Sequence, residues 1–121
     1  MVVVQAHLPA VASGNKRLFV ANGTILGAVL RRPAPPDFRI GPPCAAAAVD
    51  GRDRLIVDRL APELRRLGIG FAGLDVIDGH LIEVNVTSPG ALHKTDALLG
   101  TELCRELVQE LLGTVERKAT A

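Results

Sequence analysis

Residues 73–85 read Gly-Leu-Asp-Val-Ile-Asp-Gly-His-Leu-Ile-Glu-Val-Asn, and their pattern is that of a β-hairpin. Apolar and polar residues alternate on both sides of Asp78-Gly79, which predicts two antiparallel strands over residues 69–77 and 81–86. Successive side chains of a strand point to opposite faces, so Glu83 and Asn85 share one face. If the apolar side chains of both strands lie together, Asp75 joins these two residues on the polar face.

The register of this hairpin determines what the polar face can do. A two-residue turn at Asp78-Gly79 would pair Asp75 with Ile82 and bury the carboxylate among aliphatic side chains. A three-residue connection over 78–80, or a bulge, pairs Asp75 with Glu83 instead, with Cβ atoms about 4.5–5.5 Å apart. Two carboxylates this close repel each other unless a cation lies between them, and their hard oxygens suit Mg²⁺. The alternative is a solvated polar face, which the periodicity alone favours.

The rest of the chain predicts a second hairpin, an N-terminal strand, a proline-rich loop and two helices. Asn22-Gly23 accepts the positive φ angles of a type I′ turn. Hairpins with helices between them predict an α+β fold in a single domain over residues 1–121, an antiparallel sheet with helices packed on one face. The predicted elements are strands 2–8, 18–21 and 24–30, a loop over 33–43, a short helix or loop over 45–48, a helix from Asp53 carrying Leu55, Ile56, Leu60, Leu64 and Leu67, and a final helix from Thr101 carrying Leu103, Leu107, Leu111 and Leu112.

Composition narrows the classes of function. Of the 121 residues, 48% are hydrophobic and 22% charged, and the net charge of +1 does not favour a nucleic-acid partner, which needs clustered cations. No apolar run approaches the roughly 20 residues that span a bilayer, and the N-terminus does not resemble a signal peptide. We therefore expect a cytoplasmic protein without membrane or nucleic-acid partners. The apolar opening at residues 2–4 fits a true N-terminal strand and a truncated one equally well.

Residues 73–77, followed by 83–89, are similar to the signature of bacterial glutathione synthetases, which are ATP-grasp ligases. Segments 5–9 and 14–17 resemble the adenine-side strand and the following loop of these enzymes. Segment 37–39, Asp-Phe-Arg, resembles their phosphate-side arginine stretch. The match extends over nearly the whole chain in the right order. It implies the C-terminal half of an ATP-grasp domain, without the N-terminal domain and the ATP-grasp half that closes over the nucleotide.

The resemblance also implies a set of site residues. Asn15 stands where the family usually has Asp, and His93 where it has Arg, so the contacts to the ribose and to the substrate carboxylate depart from the family pattern. Of the neighbouring Arg31 and Arg32, we take Arg32 as the substrate-binding residue. The implied roles are metal binding by Asp75, Glu83 and Asn85, ATP binding by Gln5, Leu8, Asn15 and Asn85, catalysis by Arg17 and Arg39, and substrate binding by Arg32, Thr87 and Ser88.

The chemistry that the resemblance implies is ATP-dependent activation of a carboxylate to an acyl phosphate, followed by attack of an amine. In this family the acid is γ-glutamylcysteine, the amine is glycine, and Mg²⁺ or Mn²⁺ accompanies ATP. The alternatives are another ATP-grasp carboxylate–amine ligase and an inactive remnant or interaction module. We expect the chain by itself to be inactive and to self-associate or to require a complementing ATP-grasp half.

Overall fold

The computed structural model describes residues 1–36 and 39–121, and within them the chain forms one five-stranded antiparallel sheet with the strand order β3-β2-β1-β4-β5. A short 3-10 helix, Pro9–Ser13, precedes the sheet. The strands are β1 (Asn15–Ala21), β2 (Thr24–Pro33), β3 (Ile40–Ala46), β4 (Phe71–Ile77) and β5 (His80–Asn85), and the helices are α1 (Gly51–Arg66), α2 (Leu92–Leu99) and α3 (Leu103–Ala119).

The helices cover both faces of the sheet. Leu18 and Val20 of β1 pack with the α1 residues Val57 and Leu64. Phe19, which points to the opposite face, packs with α2 and α3. The α+β class and the antiparallel sheet are confirmed, but the prediction that the helices pack on one face is wrong. The central strand β1 is buried from Arg17 to Ala21, so its two faces both require an apolar cover.

The first hairpin has the predicted turn and an unpredicted bulge. Asn22 and Gly23 have φ angles of 50° and 86°, as a type I′ turn requires. The pairing between β1 and β2 shifts at Phe19/Val20, since Val20 pairs with Ile25 and Phe19 with Gly27. Leu26 is therefore an extra residue on β2. From this bulge to the end of β2, every side chain lies on the face opposite to that of a regular hairpin.

The second hairpin reaches the predicted pairing through a bulge. Its connection is the two-residue turn Asp78-Gly79, with φ angles of 49° and 72°, and His80 already belongs to β5. Of the two predicted routes to this pairing, the three-residue connection is wrong and the bulge is confirmed. The pairing of Asp75 with Glu83 is nevertheless confirmed, because a bulge between Leu81 and Glu83 leaves Ile82 as the extra residue.

Two other segments differ from prediction. Residues 2–8 form no strand, and Val2–Val4 are exposed. A strand needs a neighbouring strand to pair with its backbone N–H and C=O groups, and no described strand pairs with this segment. The predicted loop over 33–43 contains the start of β3, which continues to Ala46 and so also replaces the helix or loop at 45–48. Pro42 and Pro43 are tolerated there because β3 is an edge strand, where missing N–H donors face solvent.

Both predicted helices form, with differences at their ends and faces. α1 begins two residues before Asp53 because Asp50 caps it, in a capping box with Asp53. Its buried face runs through Val57, Ala61 and Leu64. Leu55 and Leu67, two of the residues whose spacing predicted the helix, are exposed. Leu112 of α3 is likewise exposed. α2 was not predicted. Among the described residues, no helix combines the length and hydrophobicity that crossing a bilayer requires.

The start of α3 is capped by a residue of α2. Asp96 Oδ1 accepts a hydrogen bond from the Leu103 N–H at 2.7 Å, and Oδ2 accepts one from the Cys104 N–H at 2.9 Å. Partial burial opposes ionisation of Asp96, but these bonds and one from the Thr101 hydroxyl outweigh it and lower the pKa of Asp96 to about 2. Asp96 thereby orders the connection that brings Leu103 onto the sheet.

Candidate functional site

Charged side chains from three adjacent strands line up on the sheet face that carries α2 and α3. Arg17 on β1 pairs with Asp75 on β4, and Asp75 pairs with Glu83 on β5. Directly paired residues of antiparallel strands point to the same face. The bulge at Ile82 is what places Glu83 in this row, because a regular two-residue hairpin would have placed Ile82 there.

Arg17 and Asp75 form a buried, two-pronged ion pair. Arg17 Nε donates to Asp75 Oδ1 at 2.7 Å, and Arg17 Nη2 donates to Oδ2 at 2.8 Å. The residues are only 6% and 5% exposed. Arg17 Nη1 also donates to the Gly90 carbonyl at 3.3 Å. Gly73 makes room for this arrangement, since a Cβ there would lie 3.0 Å from Pro89 Cβ and 3.7 Å from Arg17 Nε.

The second arginine of the cluster is Arg31. Its Nη1 lies 3.5 Å from Asp75 Oδ2. Burial lowers the pKa of the Arg31 guanidinium and the neighbouring charge of Arg17 lowers it further, although the carboxylates of Asp75 and Glu83 oppose this. The group stays cationic, since arginine remains protonated in proteins. Two positive and two negative side chains therefore meet on this face.

Arg32, the residue chosen from the sequence, lies outside this cluster, and its Nε donates to the Ser13 carbonyl at 3.2 Å. The bulge at Leu26 decides between the two arginines. In a regular hairpin Arg17 would pair with Ala28, and Arg32, four residues after Ala28, would share the face of Arg17. In the structure Arg17 pairs with Val29, so Arg31, two residues after Val29, shares that face. The sequence narrowed the choice to Arg31 or Arg32 but could not decide it, because the chain's periodicity does not indicate that bulge.

The oxygen donors suit a magnesium ion, although they are not assembled around one. Asp75 and Glu83 are paired, and Asn85 lies two residues further on, opposite Gly73. Two carboxylates and an amide oxygen leave coordination positions for water and phosphate oxygens, as Mg²⁺ prefers. Asn85 Oδ1 accepts from the Ser88 N–H at 3.2 Å. Within the described residues, no three His, Cys, Asp or Glu side chains come together as a ready ligand set.

A cavity of about 260 Å³ adjoins the charged row. Gln5 and Leu8, predicted to contact adenine, line it together with Ile77 and Ile82. Ile77 lies two residues beyond Asp75 on β4 and so points to the same sheet face. The cavity and the carboxylates therefore lie side by side, with Ile82 contributing to the cavity and Glu83 to the charged row.

Asn15 lies on the same face of β1 as Arg17, at the end near Ile77. It is only 4% exposed, and its Oδ1 is a buried acceptor with no hydrogen-bond partner among the described residues. A buried polar atom without a partner costs free energy, and a donor placed there removes the penalty.

The remaining predicted residues lie at the border of the site. Arg39 is exposed immediately before β3, while Asp37 and Phe38 of the same predicted stretch lie outside the described residues. Thr87 and Ser88 are exposed in the connection after β5, where Asn85 Nδ2 donates to the Ser88 carbonyl at 3.3 Å. His93 is exposed in the first turn of α2. Among the described residues, neither Thr87 nor His93 bonds to the buried ion pair of Arg17 and Asp75.

A larger cavity, of about 790 Å³, involves Lys16, Val76 and the start of α1. Its Lys16 ammonium is bound by Asp53 at 2.5 Å and by Asp50 at 3.1 Å. Burial by itself lowers the pKa of Lys16, but these two carboxylates outweigh it and raise the pKa. Lys16 and Val76 point away from the face of Arg17 and Asp75, so this cavity does not adjoin the paired carboxylates.

The chain matches a known family over most of its length. Residues 1–100 match the family model described as prokaryotic glutathione synthetase, ATP-grasp domain. The chain belongs to this family. It is 46% identical over 111 residues to the glutathione synthetase of Thermosynechococcus vestitus, an alignment that covers 88% of the chain and 35% of the relative. It is 44% identical over 115 residues to that of Prochlorococcus marinus, covering 92% and 37%. The resemblance drawn from residues 73–89 is therefore confirmed.

The chain spans little more than a third of the length of these relatives. The same holds for the glutathione synthetase of Synechococcus elongatus, which is 40% identical over 120 residues, 96% of this chain and 37% of the relative. Family membership thus establishes the kind of domain to which the described fold belongs. It does not by itself assign the roles of single residues.

Proposed function

We propose that this chain forms one wall of a nucleotide site in an ATP-dependent carboxylate–amine ligase of the glutathione synthetase type. The observation that carries the proposal is the adjacency of the apolar cavity and the charged row on one sheet face. Gln5, Leu8 and Ile77 line a space suited to an adenine ring. Asp75 and Glu83 are paired beside it, where the phosphates of the same nucleotide would lie.

Each side chain has a role that its surroundings support. Asn15 Oδ1 would accept a hydrogen bond from a ribose hydroxyl, since it is a buried acceptor without a described partner. Asp75, Glu83 and Asn85 would hold the divalent cation, which neutralises phosphate charge when bound. Arg31 and Arg17 would neutralise the carboxylate substrate or the transferred phosphoryl group, because the planar guanidinium matches both anions.

The reaction follows the family's chemistry, and the residues act on it by position and charge. A substrate carboxylate oxygen attacks the terminal phosphorus and ADP leaves; the amine then attacks the acyl carbon and phosphate leaves. Neither step needs a side-chain nucleophile. Fixed cations aimed at the developing negative charge supply the stabilisation. Glutathione formation from γ-glutamylcysteine and glycine is the proposed activity of the whole ligase, and the exposed His93 motivates a second candidate, a ligase with another acid.

The nucleotide site is tested by NMR titration of the chain with ATP and Mg²⁺. Shifts should concentrate at Leu8, Ile77 and Ile82, with a second group at Glu83. Leu8→Ala should weaken the response, whereas Arg52→Met, a change in the larger cavity, should not. The opposite pattern, with shifts around Lys16 and Arg52, would place the nucleotide at the α1 end and contradict the proposal.

The metal site is tested separately by Mn²⁺ relaxation titration. Glu83→Gln should abolish the signal, because it removes a charged oxygen ligand. Asp58→Asn, which removes the same charge from an exposed position on α1, should leave the signal unchanged. If the titration of Glu83→Gln equals that of wild type, the paired carboxylates bind no metal and form only a solvated polar face. Substrate identity is tested by ADP release with γ-glutamylcysteine or other acids, in the presence of glycine.

A further inference from the structure

The Asp75 carboxylate, at the centre of the site, already has a positively charged partner in the Arg17 guanidinium. Both oxygens of Asp75 accept hydrogen bonds from Arg17, at 2.7 and 2.8 Å, and Arg31 approaches Oδ2 at 3.5 Å. A two-pronged guanidinium occupies the positions of a carboxylate at which a second cation would bind most closely. A divalent ion placed at Asp75 would also be repelled by the guanidinium, and burial of both residues strengthens that repulsion.

The segment after β5 holds this pairing in place. Gly90 contributes a carbonyl that accepts from Arg17 Nη1, and Ser88 is bonded twice to the Asn85 side chain. Asn85 Oδ1, the third proposed metal ligand, is therefore occupied by the same segment that positions Arg17. Two of the three ligand groups are thus engaged by internal partners.

We propose that Arg17 and a divalent cation compete for the Asp75 carboxylate, so that the ion pair closes the metal site until the cation displaces it. This inference rests on the proposed metal site and adds a condition for its occupation. Arg17 is then a positioning residue in the closed state. Once displaced, its guanidinium becomes available to an incoming anion next to the cation, which couples metal binding to anion binding.

The competition is measured by Mn²⁺ titration of the chain, followed by electron paramagnetic resonance. Arg17→Met removes the competitor and should tighten Mn²⁺ binding by about tenfold or more, since hydrogen bonds between charged groups of this kind are strong. Arg66→Met is the matched control: Arg66 is exposed and pairs with Glu63 on α1, so its loss removes the same charge at a distant position. It should change the affinity by less than about twofold, as exposed charges are well screened. Arg17→Lys, which keeps the charge but loses the fork, should lie between wild type and Arg17→Met.

The outcomes separate the competition from the metal site itself. If Arg17→Met and Arg66→Met change the affinity equally while Glu83→Gln abolishes binding, the competition is refuted and the metal site stands. If no variant shows Glu83-dependent binding, both are refuted.

A measurement on the unmodified chain avoids dependence on the folding of Arg17→Met. The Arg17 Nε–H resonance should move during titration with Mg²⁺ and exchange faster with water, as its bond to Asp75 is lost. The Arg66 Nε–H resonance should stay constant. A constant Arg17 resonance while Mg²⁺ saturates the Glu83 signals would refute the competition.

Discussion

Replacing Asp75 by Asn should destabilise the fold strongly, independently of any effect on metal binding. The substitution removes one charge of a pair whose members are 5% and 6% exposed and replaces one acceptor oxygen by an N–H₂ donor that faces Arg17. Each bond between charged groups contributes about 1.5–3 kcal/mol, and breaking a buried pair costs about 3–5 kcal/mol because the remaining charge is uncompensated. Small domains have only about 5–15 kcal/mol of stability in total, so this loss removes a large share of the free energy of unfolding.

The assay is urea denaturation followed by circular dichroism, with Glu83→Gln as the matched control. Glu83 is exposed, so its neutralisation should change the free energy of unfolding by no more than about 0.5 kcal/mol. The double variant Arg17→Met/Asp75→Leu should recover much of the loss, since an apolar pair of similar volume leaves no buried charge. An Asp75→Asn variant within about 1 kcal/mol of Glu83→Gln would refute the reasoning. Glu83→Gln is accordingly the cleaner variant for metal-binding experiments.

Three further predictions follow from single elements of the fold. Asp96→Ala should lower the free energy of unfolding by about 1 kcal/mol at pH 7, as loss of a helix cap does. The pKa of Asp96 in the folded protein, about 2, lies below the ordinary 3.8. In urea titrations, the difference between the variant and wild type should therefore shrink as the pH falls from about 4 to 2. Deleting Ile82 should leave a regular two-residue hairpin with Asp75 still opposite Glu83. The Mn²⁺ relaxation signal should therefore persist, while the ATP-induced shifts at Ile77 are lost. Abolished Mn²⁺ binding would contradict this. Asp78→Gly should be tolerated and Asp78→Val should cost about 1–2 kcal/mol in thermal unfolding, because only the former accepts a φ of 49° readily; equal melting temperatures would refute that account.

The sequence determined the features that depend on neighbours along the chain. Asn22-Gly23 and Asp78-Gly79 specify turns because their residues tolerate positive φ, and alternation on each side specifies the strands. α1 and α3 follow from apolar spacing, although α1 has apolar residues around more than one face, so the buried face through Val57 was missed. The family signature in residues 73–89 could also be recognised from the sequence, since a motif of this kind is a property of consecutive residues.

Tertiary structure decided which side chains meet. Each hairpin contains one bulge. The bulge at Leu26 brings Arg31, in place of Arg32, to the face of Asp75, and the bulge at Ile82 produces the predicted pairing of Asp75 with Glu83. An extra residue reverses the facing of every side chain beyond it, so one local choice reassigns a whole strand. That choice depends on the fit of both sheet faces against helices distant in sequence, as where α3 places Leu103 against Gly27. Periodicity along the chain indicates which side chains of a strand share a face. The residues opposite them on the neighbouring strand are fixed only when the helices pack on the sheet.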